Sequence, residues 1–161
     1  MTTTTGHETE IILDPDVPIV RIIREFDAPP EKVFRAHADP DLFARWCGPH
    51  GTRLDVEHMD CRTGGSYRYL MRDDSGEYAF RGCFHDVRPG ELIVQTFTFE
   101  GEPDGVALER ITFEDLGDGR TRLTSHSLTD SFEGRDAFIA SGMEQGVVEG
   151  YQRLDEVLAG G

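Results

Sequence analysis

Lysine is almost missing from this chain. Lys32 is the lone example, and arginine supplies the rest of the 16 basic residues, against 31 acidic ones. A formal net charge of −15 argues against nucleic acid, whose phosphates demand basic contacts. It argues equally against anionic membrane surfaces. Cysteine is scarce too: Cys47, Cys61 and Cys83 are odd in number and widely spaced. They form neither a CxxC site nor a disulfide framework, so free thiols in a reducing cytoplasm are expected. No stretch approaches the ~20 apolar residues of a membrane span. The threonine-rich start, Met1–Gly6, has no basic or apolar leader character. Also missing are a Gly-x-Ser-x-Gly, a phosphate loop, a dinucleotide fingerprint and an HExxH pair. The six histidines make no i, i+4 pair, so neither a metal nor a cofactor is expected.

What is present is aromatic and well patterned. Ten phenylalanines in 161 residues give one domain a sizeable core. Residues 1–18 read as an N-terminal arm whose Ile11–Leu13 patch is able to extend the first strand, and residues 19–160 as a single domain. Ile19–Phe26 is a β-branched strand. Asp27-Ala28-Pro29-Pro30 stops it, and two short helices follow, one through Val33, Phe34 and Ala38, one through Leu42, Phe43 and Trp46. From Thr52 to Ser127 six alternating runs are separated by turn signals such as Asp73-Asp74-Ser75-Gly76 and Gly117-Asp118-Gly119. Gly134–Leu158 is the one long helical stretch. Ile139, Met143, Gly146, Val147, Gly150, Leu154, Val157 and Leu158 fall on one face, with Glu144, Glu149, Arg153 and Glu156 opposite. Three glycines four apart, Gly142, Gly146 and Gly150, interrupt that helix at roughly 0.5–1 kcal/mol each. A sheet pressing close, or room left for something else, would account for them.

A sheet that is apolar on one face must bury it, and only the last helix is long enough to do so. The expected fold is α+β: a curved antiparallel sheet of about seven strands wrapped around a long C-terminal helix, with two short helices after the first strand. In element order and motifs the chain resembles the helix-grip, START-like superfamily (SRPBCC), and within it the family named after the heat-shock-protein-90 ATPase activator. Four stretches carry the resemblance: Phe26-Asp27-Ala28-Pro29 with Val33-Phe34, Trp46-Cys47-Gly48-Pro49, Arg62-Thr63-Gly64-Gly65, and Gly142-Met143-Glu144-Gln145-Gly146-Val147. Two positions depart from the family pattern. Cys47 stands where an aromatic is common, and Val147 where tryptophan is. Both shrink a side chain, leaving either a wider pocket or space refilled by neighbouring aromatics.

The resemblance implies a small apolar or aromatic ligand held between helix and sheet. The residues expected there are Phe43, Trp46, Tyr67, Tyr69, Met71, Gln95, Phe97, Phe99, Ile111, Phe113, Leu123, Met143, Gly146, Val147 and Gly150. As a purely structural set, the same residues are simply core. Gln95, Glu109, Ser125 and the tyrosine hydroxyls are the candidate polar handles. Strand phase turns His85 and His126 outward, away from any role as general base. The family name implies a second reading, a co-chaperone contacting heat-shock protein 90. A third is a cyclase or aromatase acting on a polyketide-like substrate. A homodimer through the sheet's outer face or edge is a further expectation.

Overall fold

Alternation of branched and charged residues makes Ile19–Phe26 a strand (β2) with Val20, Ile22, Arg24 and Phe26 buried. The computed structural model describes residues 7–160, so the first six residues of the arm lie outside the described residues. The arm's Glu10–Leu13 forms a strand of its own (β1), antiparallel to β2 with Ile11 opposite Ile22. The sheet therefore has eight strands where the sequence reading counts about seven. The local reason is the turn after Leu13: the Asp14 carboxylate accepts hydrogen bonds from the N–H groups of Asp16 at 2.8 Å and Val17 at 3.2 Å, an Asx-type turn that folds β1 back on β2.

Two short helices follow β2: α1 (Pro30–Ala38) and α2 (Pro40–Trp46), each begun by a proline. Asp39 caps α2, accepting from the N–H groups of Asp41 and Leu42. The Trp46 indole N–H donates to the Ala36 carbonyl at 2.8 Å and ties the two helices together. Six strands then meander: β3 (Arg53–Met59), β4 (Ser66–Asp73), β5 (Gly76–Arg88), β6 (Leu92–Phe99), β7 (Ala107–Gly117) and β8 (Arg120–Leu128). The order across the sheet is β1-β2-β8-β7-β6-β5-β4-β3, so β1 and β3 are its edges. The Arg62–Gly65 turn docks on β5: Gly64 donates to Phe84 O and Phe84 donates to Gly65 O, both at 2.9 Å. A side chain on Gly65 would meet the Asp60 carbonyl at 1.9 Å, which is the physical reason for glycine in that motif.

The last helix is not continuous. It divides into α3 (Phe132–Phe138), a wide turn over Ile139–Met143, and α4 (Glu144–Gly160). The break is at Gly142, whose φ of 94° and ψ of 18° leave the right-handed region. The glycine ladder is therefore two different things. Gly142 makes a kink. Gly146 and Gly150 are helical, and they face not the sheet but the segment after α2. A side chain on Gly150 would lie 3.4 Å from the Trp46 carbonyl and the Gly48 N–H, and one on Gly146 would lie 3.6 Å from the Pro49 ring. Gly142→Ala is expected to cost about 1–2 kcal/mol through left-handed strain. Gly146→Ala, with room for its methyl, is expected to gain about 0.5–1 kcal/mol. Urea unfolding of the two variants checks the opposite signs.

The closed half of the core lies under α4. Tyr151, Leu154, Val157 and Leu158 are buried in one cluster with Phe26, Val33, Phe34, Phe113 and Leu123. Tyr151 meets Phe26 edge-on at 5.3 Å between ring centroids. Two polar ties lock this end: Arg24 of β2 pairs with Asp155 at 2.6 Å, and Lys32 Nζ donates to the Leu158 carbonyl at 2.6 Å. At the other end Arg135 of α3 donates to the carbonyls of Asp14, Val17 and Ile19, fastening that helix to the β1–β2 turn.

Candidate functional site

Register decides which residues share the concave face. Gln95, Glu109 and Ser127 stand opposite one another on β6, β7 and β8, with Val20 of β2 continuing the row. The next row holds Ile93, Ile111, Ser125 and Ile22. Gln95 therefore points inward, as its phase with Phe97 implies. Its amide N–H donates to Glu109 Oε1 at 2.9 Å, and Ser127 Oγ donates to Oε2 at 3.3 Å. Burial pushes the Glu109 carboxyl above the ordinary carboxylate range, against the pull of those two hydrogen bonds. Yet Glu109 is only half-buried, so this row is less tightly closed than the core under the end of the last helix.

The walls around this row are aromatic. Tyr67 stacks on Tyr69 at 6.0 Å, Tyr69 on Phe80 at 5.3 Å and Phe80 on Phe97 at 5.4 Å, and Phe84 meets Tyr67 at 5.3 Å. Phe97 in turn approaches Phe138 of α3, with centroids 6.2 Å apart. Facing surfaces differ between the two ends of the fold. Under α4 the apolar residues are closed off from solvent. Toward the kink, Ile139, Met143 and Val147 of the helix and Phe80, Phe97 and Ile111 of the sheet are all only half-buried.

The expected site residues divide accordingly. Met71, Gln95, Phe97, Phe99, Ile111, Met143, Val147 and Phe43 are half-buried around the cup, while Tyr67 and Tyr69 point inward and are buried. Phe113 and Leu123 belong to the closed core, with Phe113 edge-on to Phe34. Trp46 is buried against His37 and Tyr151. Gly146 and Gly150 face the Cys47–Pro49 segment. Two residues of α4 read as solvent-facing hold that same segment: Glu149 accepts from the His50 N–H at 2.8 Å, and Arg153 donates to the Gly48 and Pro49 carbonyls at 3.2 Å. The polar handles sort differently from expectation. The Tyr67 hydroxyl is occupied by the Thr96 carbonyl at 2.7 Å. Ser127, not Ser125, meets Glu109. Ser127, Phe80 and Phe84 went unselected, although the alternation that selects Leu123 and Gln95 also reaches them.

Cys47 carries a half-buried thiol. Burial pushes it up to about 12, and the Tyr69 hydroxyl hydrogen-bonds to it, so it is no thiolate nucleophile at neutral pH. His85 is exposed, and His126 faces outward, where it accepts from Arg21 Nε at 3.0 Å. Two clefts open elsewhere. One, of about 320 Å³, lies among His7, Thr9, Arg24 and Gln152, and one, of about 380 Å³, lies between α2 and β3. Neither is lined by the Gln95–Glu109–Ser127 row.

A curved antiparallel sheet gripping a C-terminal helix, with two short helices between the second and third strands, defines the helix-grip class of fold. The profile of the family described as Activator of Hsp90 ATPase homolog 1-like protein matches residues 27–159, and the chain belongs to that family. Among solved structures it is similar to protein CV1439 from Chromobacterium violaceum, at 30% identity over 87% of this chain and 96% of that one, with a TM-score of 0.75. It shares its fold with protein Ms6760 from Mycobacterium smegmatis, at 24% identity over 94% and 97% of the two chains, with a TM-score of 0.85. It is also similar to DynU16, a protein in the dynemicin biosynthetic locus, at 25% identity over 90% of this chain and 48% of that one, with a TM-score of 0.67. No curated protein sequence matches the chain. Among the described residues no helix is long and apolar enough to cross a membrane.

Proposed function

We propose that this chain is a binding protein for a small molecule with an apolar or aromatic body, held between the kinked helix and the centre of the sheet. The supporting observation is the unequal burial of the two halves of the fold. Apolar side chains facing one another normally close to crystal-like density. Here they do so under α4, while Met143, Val147, Phe97 and Ile111 stay half-buried around a desolvated Glu109. Apolar walls with a few convergent polar groups are the usual make-up of a small-molecule site. Opening of the kink at Gly142 is the natural entry, because no residue of the wide turn there is buried.

Thermal unfolding against a library of aromatic and lipid-like compounds tests this reading. A true ligand at a hundredfold excess over its Kd stabilises by about 2.7 kcal/mol. A library that yields no shift removes the proposal. The enzymatic reading, a cyclase or aromatase, takes some support from the likeness to DynU16. It requires a second polar group within reach of the reacting atoms, and Glu109 with its two partners is the one such cluster on the concave face among the described residues. The co-chaperone reading rests on the family description, and stimulation of a heat-shock-protein-90 ATPase is its direct assay.

A further inference from the structure

Glu109 has everything a buried carboxylate needs except a cation. Both oxygens accept, one from the Gln95 amide and one from the Ser127 hydroxyl. Both neighbours present hydrogen atoms, the arrangement that suits an ionised, acceptor-only carboxylate. Among the described residues no lysine, arginine or histidine forms an ion pair with Glu109, and none contributes to its proton affinity. Buried charges are normally paired, and once ionised Glu109 finds no ion pair among the described residues. The walls around it are also suited to a cation. Tyr67, Tyr69, Phe80 and Phe97 form a run of stacked rings, with Phe84 tilted against Tyr67, and aromatic faces attract ammonium groups. Burial and then the Glu109 carboxyl push the hydroxyls of Tyr67 and Tyr151 up, so the carboxyl is electrostatically close to this aromatic lining. The surrounding protein, at a net charge of −15, concentrates cations further.

We infer that the ligand of this site is an amine: an ammonium group set on Glu109 between Gln95 and Ser127, with its apolar or aromatic body against the Tyr69–Phe97 wall. This inference rests on the proposed binding role and names the class of ligand that fills it. The half-buried rim of Ile139, Met143 and Val147 is left to cover the far end of that body. An ammonium supplies three donors and a full charge. A free lone pair on each Glu109 oxygen remains to receive two of those donors. Burial raises the proton affinity of Glu109 and an adjacent ammonium lowers it, so amine binding releases the proton from whatever fraction of Glu109 carries one.

Calorimetric titration with 2-phenylethylamine, 2-phenylethanol and phenylacetate tests the inference, because the three probes share one body and differ in the head. The amine is expected to bind about tenfold tighter than the alcohol, and the acid more weakly than either. Repeating the amine titration in two buffers of different ionisation enthalpy is expected to show release of up to about one proton per amine bound. In Glu109→Gln the amine's advantage and the proton release both disappear. That variant is expected to remain folded, because it exchanges a desolvated carboxyl for an amide of the same shape. An amine that binds no tighter than the alcohol overturns the inference, and so does a preference that survives in Glu109→Gln. If the alcohol binds while the amine shows no advantage, the binding role stands and only the amine is lost. If no probe binds and the broader library is also silent, the binding role falls with it.

Discussion

Asp155→Ala is expected to destabilise the fold by about 3–5 kcal/mol, the cost of leaving a buried charge without its partner. Arg24 occupies an inward position of β2, in phase with Val20, Ile22 and Phe26, and only 2% of it is exposed. Its guanidinium holds both oxygens of Asp155, at 3.0 and 2.6 Å, and donates to the Glu25 carbonyl at 2.8 Å. Its flat face lies 4.9 Å from the Phe26 ring centroid. Removing the carboxylate strands a cation that is only 2% exposed, with the cleft beside His7, Thr9 and Gln152 as its one approach to water among the described clefts. The double variant Arg24→Met with Asp155→Leu is expected to recover most of the loss, because a well-packed apolar pair is often as stable as a buried ion pair. Urea unfolding of the single and double variants gives the comparison. A single variant that loses less than about 1 kcal/mol would place the pair among surface-like, weakly contributing bridges.

That ion pair also marks the limit of what the chain reveals when read alone. The strand alternation of Tyr67–Met71, Gln95–Phe99 and Leu123–Ser125 was legible because a half-buried strand repeats every two residues. So was the order of elements, and the four motifs became legible through the family they resemble. Arg24 was not, since a charged residue in an inward phase makes sense only once Asp155, far along the chain, is placed against it. Glu109 is among the polar handles expected from the sequence, but its lack of an ion pair among the described residues is a property of the assembled walls. The glycine ladder misled for a geometric reason. Steps of three and four persist on both sides of a kink, so periodicity does not register the extra residue in the Ile139–Met143 turn. Gly150 looked like a contact with the sheet because the sheet is the largest partner. The close approach is instead to Gly48, so two of the motifs, Trp46–Pro49 and Gly142–Val147, are constrained by each other.

Acid is expected to unfold this protein through His37 before the surface carboxylates matter. His37 sits in α1 with its ring wedged edge-on between Trp46 at 4.8 Å and Phe113 at 5.3 Å, and its Nδ1–H donates to the Val33 carbonyl at 2.8 Å. Burial lowers its proton affinity from 6.5 to about 4, against the opposing effect of that hydrogen bond. A folded value below the unfolded one means the stabilisation is complete above pH 6.5 and drains away as pH falls toward 4. The unfolded chain binds the proton across that window and the folded chain does not. The shift corresponds to about 3 kcal/mol, a large share of the 5–15 kcal/mol typical of a domain. His37→Phe keeps the edge-on packing and removes the proton site, so its unfolding midpoint in urea is expected to change little between about pH 7 and about pH 4.5 while the parent's falls steeply. Glu109 bends the curve the other way. Its raised folded value stabilises below the ordinary carboxylate range, and that stabilisation is lost as pH rises through the folded value. Falling pH therefore strains the closed end of the fold at His37, while rising pH strains the open end at Glu109. Parallel acid slopes in the parent and His37→Phe would show that the histidine reaches water before the fold opens, contrary to the packing of Trp46 and Phe113 around it.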